Sequence, residues 1–400
     1  MADSQAITYT IEWESAPGVR GDEHRATWAR FEFWVEGECA TQVEDKENGS
    51  ARRSIYVSLY PLAEWIAFNW WLLSYDYRST WTVEKSRVRD TLYRQRVWSE
   101  IRPHRVREAG DGFVWPDLAI LPQDNGQTLL VWRSDQSAQE GWATRFISNG
   151  SKRVSSREVL LVLSSIVEKV IHRLREQGIG KSSLMEEWER VSSPDEAERD
   201  FCVAAARLGL DPYSDEAISL EDGIIRAASS LSGEVLTDFL GVARPSAINE
   251  EIDWVLSSAD LARQPNVDAI NPLPKLADTE LNYTTSPWRI GWKEASSLRD
   301  KLDISPTDPV QMESWIHTDS RPTLNAGMQA LGFAEGSSIG RLVLAKSYMS
   351  KVRRFTEARA LWHLAHSPSG IFLVVATYGD RQKIERAFAA EFLAPAEGIR

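Results

Sequence analysis

The residues best placed to do chemistry lie near the end of the chain. In RRFTEARALWHLAH, His363 and His366 stand three apart on a predicted helix and Glu357 precedes His363 by six positions. A His/His/carboxylate cluster of the kind that holds zinc can be drawn from these three, although it would lack a general base. The alternative is a buried, hydrogen-bonded His363 and a solvated His366 near the helix end, where the helix dipole favours an imidazolium. A second concentration runs from Glu84 to Glu108, with Lys85, Arg87, Arg89, Arg94, Arg96, Arg102, Arg105 and Arg107 interleaved with Tyr93, Trp98 and His104. Clustered cations can take phosphates while aromatics stack on bases, so this segment is the candidate nucleic-acid contact, and a solvated charged helix is its alternative.

Two further patterns are weaker. Asp111 and Asp117 in GDGFVWPDLAIL could supply the first carboxylate of a metal-dependent nuclease, but the next strand offers Gln127 and an apolar run where a second carboxylate and a lysine are needed. GIGKSS at Gly178 lacks the leading glycine of a phosphate loop and follows a helix, so it reads as a helix stop.

The elements that must carry these residues fall into three stretches. Residues 1–150 are expected to form a β-dominated domain. ITYTIEW and RFEFWVEG alternate as an antiparallel strand pair, Ser54 to Leu59 is a strand that turns into a helix after Pro61, and strands are expected in GDGFVWPDLAIL, GQTLLVWRSD and TRFISNG. Residues 151–265 are expected to be helical, opening with a Ser155–Glu158 capping box and a stripe of Val159, Leu163, Ile166, Val170 and Leu174. Residues 266–285, rich in Pro, Asn and Asp, read as a linker to a last domain over 286–400. That domain is expected to contain a helix after Pro287, a strand in RLVLAKSYM, a helix in TEARALWHLAH, a strand in GIFLVVATYG and a final helix. The whole is a multidomain α+β chain.

Composition bounds the function. With 400 residues, 42% apolar and 26% charged, the chain can bury more than one core, and disorder or a disulfide scaffold is excluded. A net charge of -12 means that any nucleic-acid contact must be local. Cys39 and Cys202 suggest neither a metal site nor a disulfide framework, and no segment resembles a signal peptide or a membrane span, so a cytoplasmic protein with no membrane partner is expected. Eleven of the 17 tryptophans precede Gly150, which points to an aromatic-packed first domain or to a surface that stacks bases or grips a protein.

RRFTEARALWHLAH, the later ERAFAAEFLAP and the earlier SPWRIGWKEASSLR together resemble the ImmA/IrrE family of bacterial zincin-like metallopeptidases, over roughly Ser286 to Arg400. The resemblance implies a zincin-like fold and a site built on an HExxH helix, whose two histidines bind zinc while the glutamate activates water. Here Arg359 stands at the first histidine position, Ala360 at the glutamate, and His363 at the second histidine. An arginine cannot become a ligand and alanine offers no base. The family's third ligand falls among Gln382, Lys383 and Ile384, with Glu385 slightly out of register, so a rearranged metal set would draw on His363, His366, Glu357 and Glu385. The resemblance therefore implies a pseudopeptidase with no cofactor, zinc being the alternative. Its expected role is regulatory, binding a protein partner in a bacterial stress, mobile-element or phage-defence circuit. The alternatives are a metallopeptidase with an altered site that cleaves a repressor or antitoxin, and a nucleic-acid-associated scaffold using residues 85–107.

Overall fold

Alternation builds the first sheet. The computed structural model describes residues 5–47, 49–79, 101–135, 143–264, 271–276, 286–335, 338–346, 350–366 and 370–399. β1 (Ile7–Trp13) runs antiparallel to β2 (Trp28–Val35), with Ile7 opposite Val35 and Trp13 opposite Ala29. Ala29, Phe31, Phe33 and Val35 are buried, while Arg30, Glu32 and Trp34 point the other way. The other edge of β2 pairs with β3 (Glu38–Cys39) and β6 (Ile55–Ser58). The β2–β3 turn places Glu36 and Gly37 at positive φ, the backbone that tight hairpins demand.

Two further sheets complete this region. β4 (Val43–Asp45) lies between β5 (Ala51–Arg52) and β9 (Thr144–Phe146), and β8 (Gln127–Arg133) lies between β7 (Asp117–Pro122) and β10 (Gly150–Ser155). β10 was not expected: GSKRVS looks polar, but its Gly150 has no Cβ where one would meet the Trp132 ring at 1.9 Å, which lets the strand close over that indole. The short α1 (Asp22–Ala26) lies in the β1–β2 connection. The apolar segment after Pro61 becomes two helices, α2 (Tyr60–Phe68) and α3 (Trp70–Tyr75), divided at Asn69, whose amide donates back to the Trp65 carbonyl at 2.8 Å.

α4 (Ser156–Glu176) buries all five residues of its predicted stripe. The expected capping box is absent: Ser155 makes no side-chain cap, and Glu158 instead accepts from the Ile7 backbone N–H at 2.8 Å, because β1 offers that carboxylate a more distant donor. α5 (Ser183–Ser192), α6 (Glu196–Arg207) and α7 (Asp215–Ser219) follow.

The chain divides into two compact units, Met1–Ile218 and Ser219–Arg400. The helices expected in one module over 151–265 thus span the division, with α8 (Glu221–Ser230), α9 (Gly233–Val242) and α10 (Ile248–Ala262) in the second unit. There they join α11 (Pro287–Lys301), β11 (His317–Ser320), β12 (Met328–Glu335), β13 (Ser338–Leu344), α12 (Ser350–Ala365), β14 (Gly370–Val375) and α13 (Asp380–Leu393). The sheet order is β11-β13-β12-β14, with β11 parallel to β13 and the other pairs antiparallel. β11 and β12 extend the sheet beyond the two strands expected from sequence. Leu361, Leu364, Phe388 and Phe392 are buried in the core between sheet and helices, with Phe355 packed at its margin. With 49% helix and 21% strand, the protein is α+β. No helix among the described residues is long and apolar enough to cross a membrane.

Candidate functional site

Arg359 and His363 are four apart on α12, hence on one helix face, and that face is turned inward. Arg359 is 1% exposed, an extreme value for an arginine, and its burial requires partners for its charge. Its guanidinium bonds to Oε1 of Glu385 at 2.5 Å and to the Val375 carbonyl at 2.6 Å. It also donates to the amide oxygen of Gln329. The β12–β14 register shifts between Met328 and Ala330, so Gln329 occupies an irregularity of the kind that re-aims a side chain.

Glu385 on α13 thus meets α12. Its Oε2 lies 2.7 Å from Nε2 of His363. Burial pushes the Glu385 carboxyl up, but Arg359 and then His363 more than offset it and hold the group down to about 2. The carboxylate is thus ionised and can only accept, so Nε2 of His363 must carry a proton. Burial keeps that imidazole neutral by lowering its pKa. Its ring stacks on Phe372, with centroids 4.8 Å apart.

A second tier surrounds the triad. Arg381 pairs with Asp238 on α9 and, at 2.9 Å, with Glu234, while the Gln382 amide donates to Asp238 at 3.0 Å. Burial raises Asp238 to about 7, with Arg381 opposing. Arg386 donates to the Thr377 carbonyl at 2.6 Å and lies over the Tyr378 ring at 4.8 Å; burial, then Arg359, lowers it to about 10. Sequence reasoning missed Gln329, Asp238, Arg381 and Arg386, because none of them repeats at a spacing that points to Arg359.

The predicted metal set is only partly assembled. His363 and Glu385 meet, but Glu357 pairs with Arg353 at 2.8 Å, and His366 bonds to the Trp362 carbonyl and faces Glu294 at 3.5 Å rather than standing solvated. Among the described residues no group of three or more His, Cys, Asp or Glu side chains could hold a metal ion. The donor set does not fit zinc: a guanidinium holds one oxygen of Glu385, the nitrogen that His363 turns to the other is protonated, and Ala360 supplies no base. No catalytic step through a metal follows from this arrangement.

Of the remaining described candidates, Arg102 and Arg105 converge on Glu108 while Arg107 turns to another carboxylate. Arg87, Arg89, Arg94 and Arg96 lie outside the described residues. Arg102 pairs with Glu108 at 3.0 Å, Arg105 with Asp117 at 2.8 Å and Arg107 with Asp135 at 2.6 Å. Asp111 pairs with His24 at 2.9 Å, so the two aspartates serve different partners. Gly178, at φ +81°, ends α4, and Ser182 caps α5 by accepting from the Met185 N–H. β14 is the last described strand of its sheet, yet Phe372 to Val375 are buried, and Arg359 already occupies the Val375 carbonyl. Comparison with protein-family models, with curated proteins and with solved structures found no match.

Proposed function

We propose that the protein is a non-catalytic regulatory or partner-binding protein, whose second unit keeps a peptidase-like framework with an internal ion pair in the place of a metal. The observation that carries this reading is the buried Arg359–Glu385 pair closed by His363. A guanidinium is a permanent cation that spans two acceptors without a coordination shell, so it satisfies the buried glutamate and repels a second cation. The resemblance to ImmA/IrrE peptidases adds the class of role: control exerted on a protein partner, such as a repressor or antitoxin, by holding it rather than cutting it.

The test is metal content and hydrolysis together. Purified full-length protein should carry well under one zinc per chain by elemental analysis, cleave no repressor-like substrate with or without added zinc, and bind its partner equally well in chelator. About one zinc per chain that disappears in His363→Ala, with chelator-sensitive cleavage, would establish the altered-site peptidase instead.

A further inference from the structure

The outward face of the first sheet has a composition unlike an ordinary solvated face. Residues directly opposite one another on paired strands share a face, which places Thr8 beside Trp34, Thr10 beside Glu32, and Glu12, Arg30 and Tyr56 in one row. Two arginines lie over the aromatic rings. Arg53 sits 5.5 Å from the Trp34 centroid and Arg52 sits 5.3 Å from that of Tyr56, which is 40% exposed. Both arginines are exposed.

The charges on this face are not balanced. Arg30 reaches Glu12 at 3.1 Å and Glu32 at 3.4 Å, so both nearby carboxylates are already engaged by one cation. Among the described residues neither Arg52 nor Arg53 forms an ion pair with a carboxylate. With three arginines against two carboxylates, the described residues of this face carry a net charge of about +1 on a protein of net charge -12, and the two exposed guanidiniums of Arg52 and Arg53 lie over aromatic rings. At a strand rise of about 3.4 Å and a strand spacing of about 4.8 Å, the two ring–guanidinium pairs are about 14 Å apart.

We propose that this face binds single-stranded nucleic acid, with bases stacking on the Trp34 and Tyr56 rings and their guanidinium layers while Arg52 and Arg53 contact phosphates. Aromatic and guanidinium planes on an open sheet are the surfaces on which unstacked bases are read, and every base has a π-face to offer. A protein partner fits less well: Arg, Trp and Tyr are also common at protein interfaces, but interface centres are depleted in carboxylates and here Glu12 and Glu32 stand among the rings. A duplex fits less well still, because its bases are already stacked on one another. None of these residues belongs to the Arg359 cluster or to the 85–107 segment.

Fluorescence anisotropy of the full chain with labelled single-stranded DNA and RNA oligonucleotides tests this. The expected result is binding to the single strands at about 50 mM salt, weaker binding to the duplex of the same sequence, and a fall in affinity with rising salt. Arg52→Gln/Arg53→Gln should lower affinity at least about tenfold and flatten the log–log salt slope by roughly 1.4, at about 0.7 per lost single-strand phosphate contact. Trp34→Leu and Tyr56→Leu should each cost about 5- to 100-fold. Arg102→Gln, off this face, should leave binding unchanged. No binding at low salt, equal affinity for duplex, an Arg52→Gln/Arg53→Gln variant with unaltered affinity and slope, or an equal loss on Arg102→Gln would overturn the proposal. The exposed arginines decide it, since their replacement leaves the packed face of the sheet untouched.

Discussion

Arg359 determines what the second unit can do, because a buried charge is tolerable only while its partner remains. Removing one member of such a pair strands the other in the core at a typical cost of about 3–5 kcal/mol, whereas replacing both by apolar groups is often neutral. Arg359→Met should therefore lose about 3–5 kcal/mol in urea unfolding, and Arg359→Met/Glu385→Leu should recover most of that loss. Full additivity of the two single losses would refute the pairing. The pH dependence follows from the same residues. Glu385 is depressed from 4.5 to about 2, so its contribution is complete above about pH 4.5 and is lost as pH falls toward 2. His363, lowered from 6.5 by burial, also withdraws stability as pH falls below 6.5, since the unfolded chain takes up the proton first. Asp238, raised from 3.8 to about 7, acts in the opposite sense between those values, because there the folded state binds the extra proton. Between about pH 6.5 and 4.5 the effects of His363 and Asp238 oppose one another, whereas below about pH 4.5 the loss of Glu385 should make urea midpoints fall steeply, and Glu385→Gln should remove that steep limb. A midpoint that stays level down to about pH 3 would contradict the ionised Glu385.

At the level of elements, the triad depends on how closely α11 packs against α13, the helix that carries Glu385. Gly291 permits that approach: a Cβ there would lie 2.3 Å from the Ile384 carbonyl oxygen and 2.7 Å from the Phe388 nitrogen, both backbone atoms that cannot rotate away. Gly291→Ala should force the helices apart and cost about 1–3 kcal/mol or more, despite alanine's better helix propensity. A neutral or stabilising Gly291→Ala in thermal melts would show that the helices are not in such close contact. In the first unit Gly150 does the same for the Trp132 ring, and Gly150→Ala should expose the indole, read as a red shift in its emission.

Across the whole molecule, the two units have separate cores, one around Phe31, Trp115 and Ile166 and the other around Leu361, Phe388 and Phe392. Because separate cores can unfold as separate cooperative blocks, calorimetry should show an enthalpy that departs from a single two-state transition. Arg359→Met should move only the component belonging to Ser219–Arg400, while Trp115→Ala moves only the other. A single transition that both variants shift equally would mean that the units fold as one.

The sequence by itself determined whatever depends on neighbours along the chain: the alternation of β1 and β2, the buried stripe of α4, the helix after Pro287, and the i, i+4 placement of Arg359 and His363 on one face. Periodicity is a local property and survives without knowledge of the fold. The tertiary structure alone decided which distant groups complete a charge. It brought Glu385 to Arg359 across 26 positions and Gln329 across 30, drew Glu158 away from its helix cap to a donor 151 residues earlier, and placed Arg52 and Arg53 over rings on an open sheet face. Such pairings are set by desolvation, since a buried charge takes whatever partner the packing supplies, and that choice leaves no period in the sequence to read.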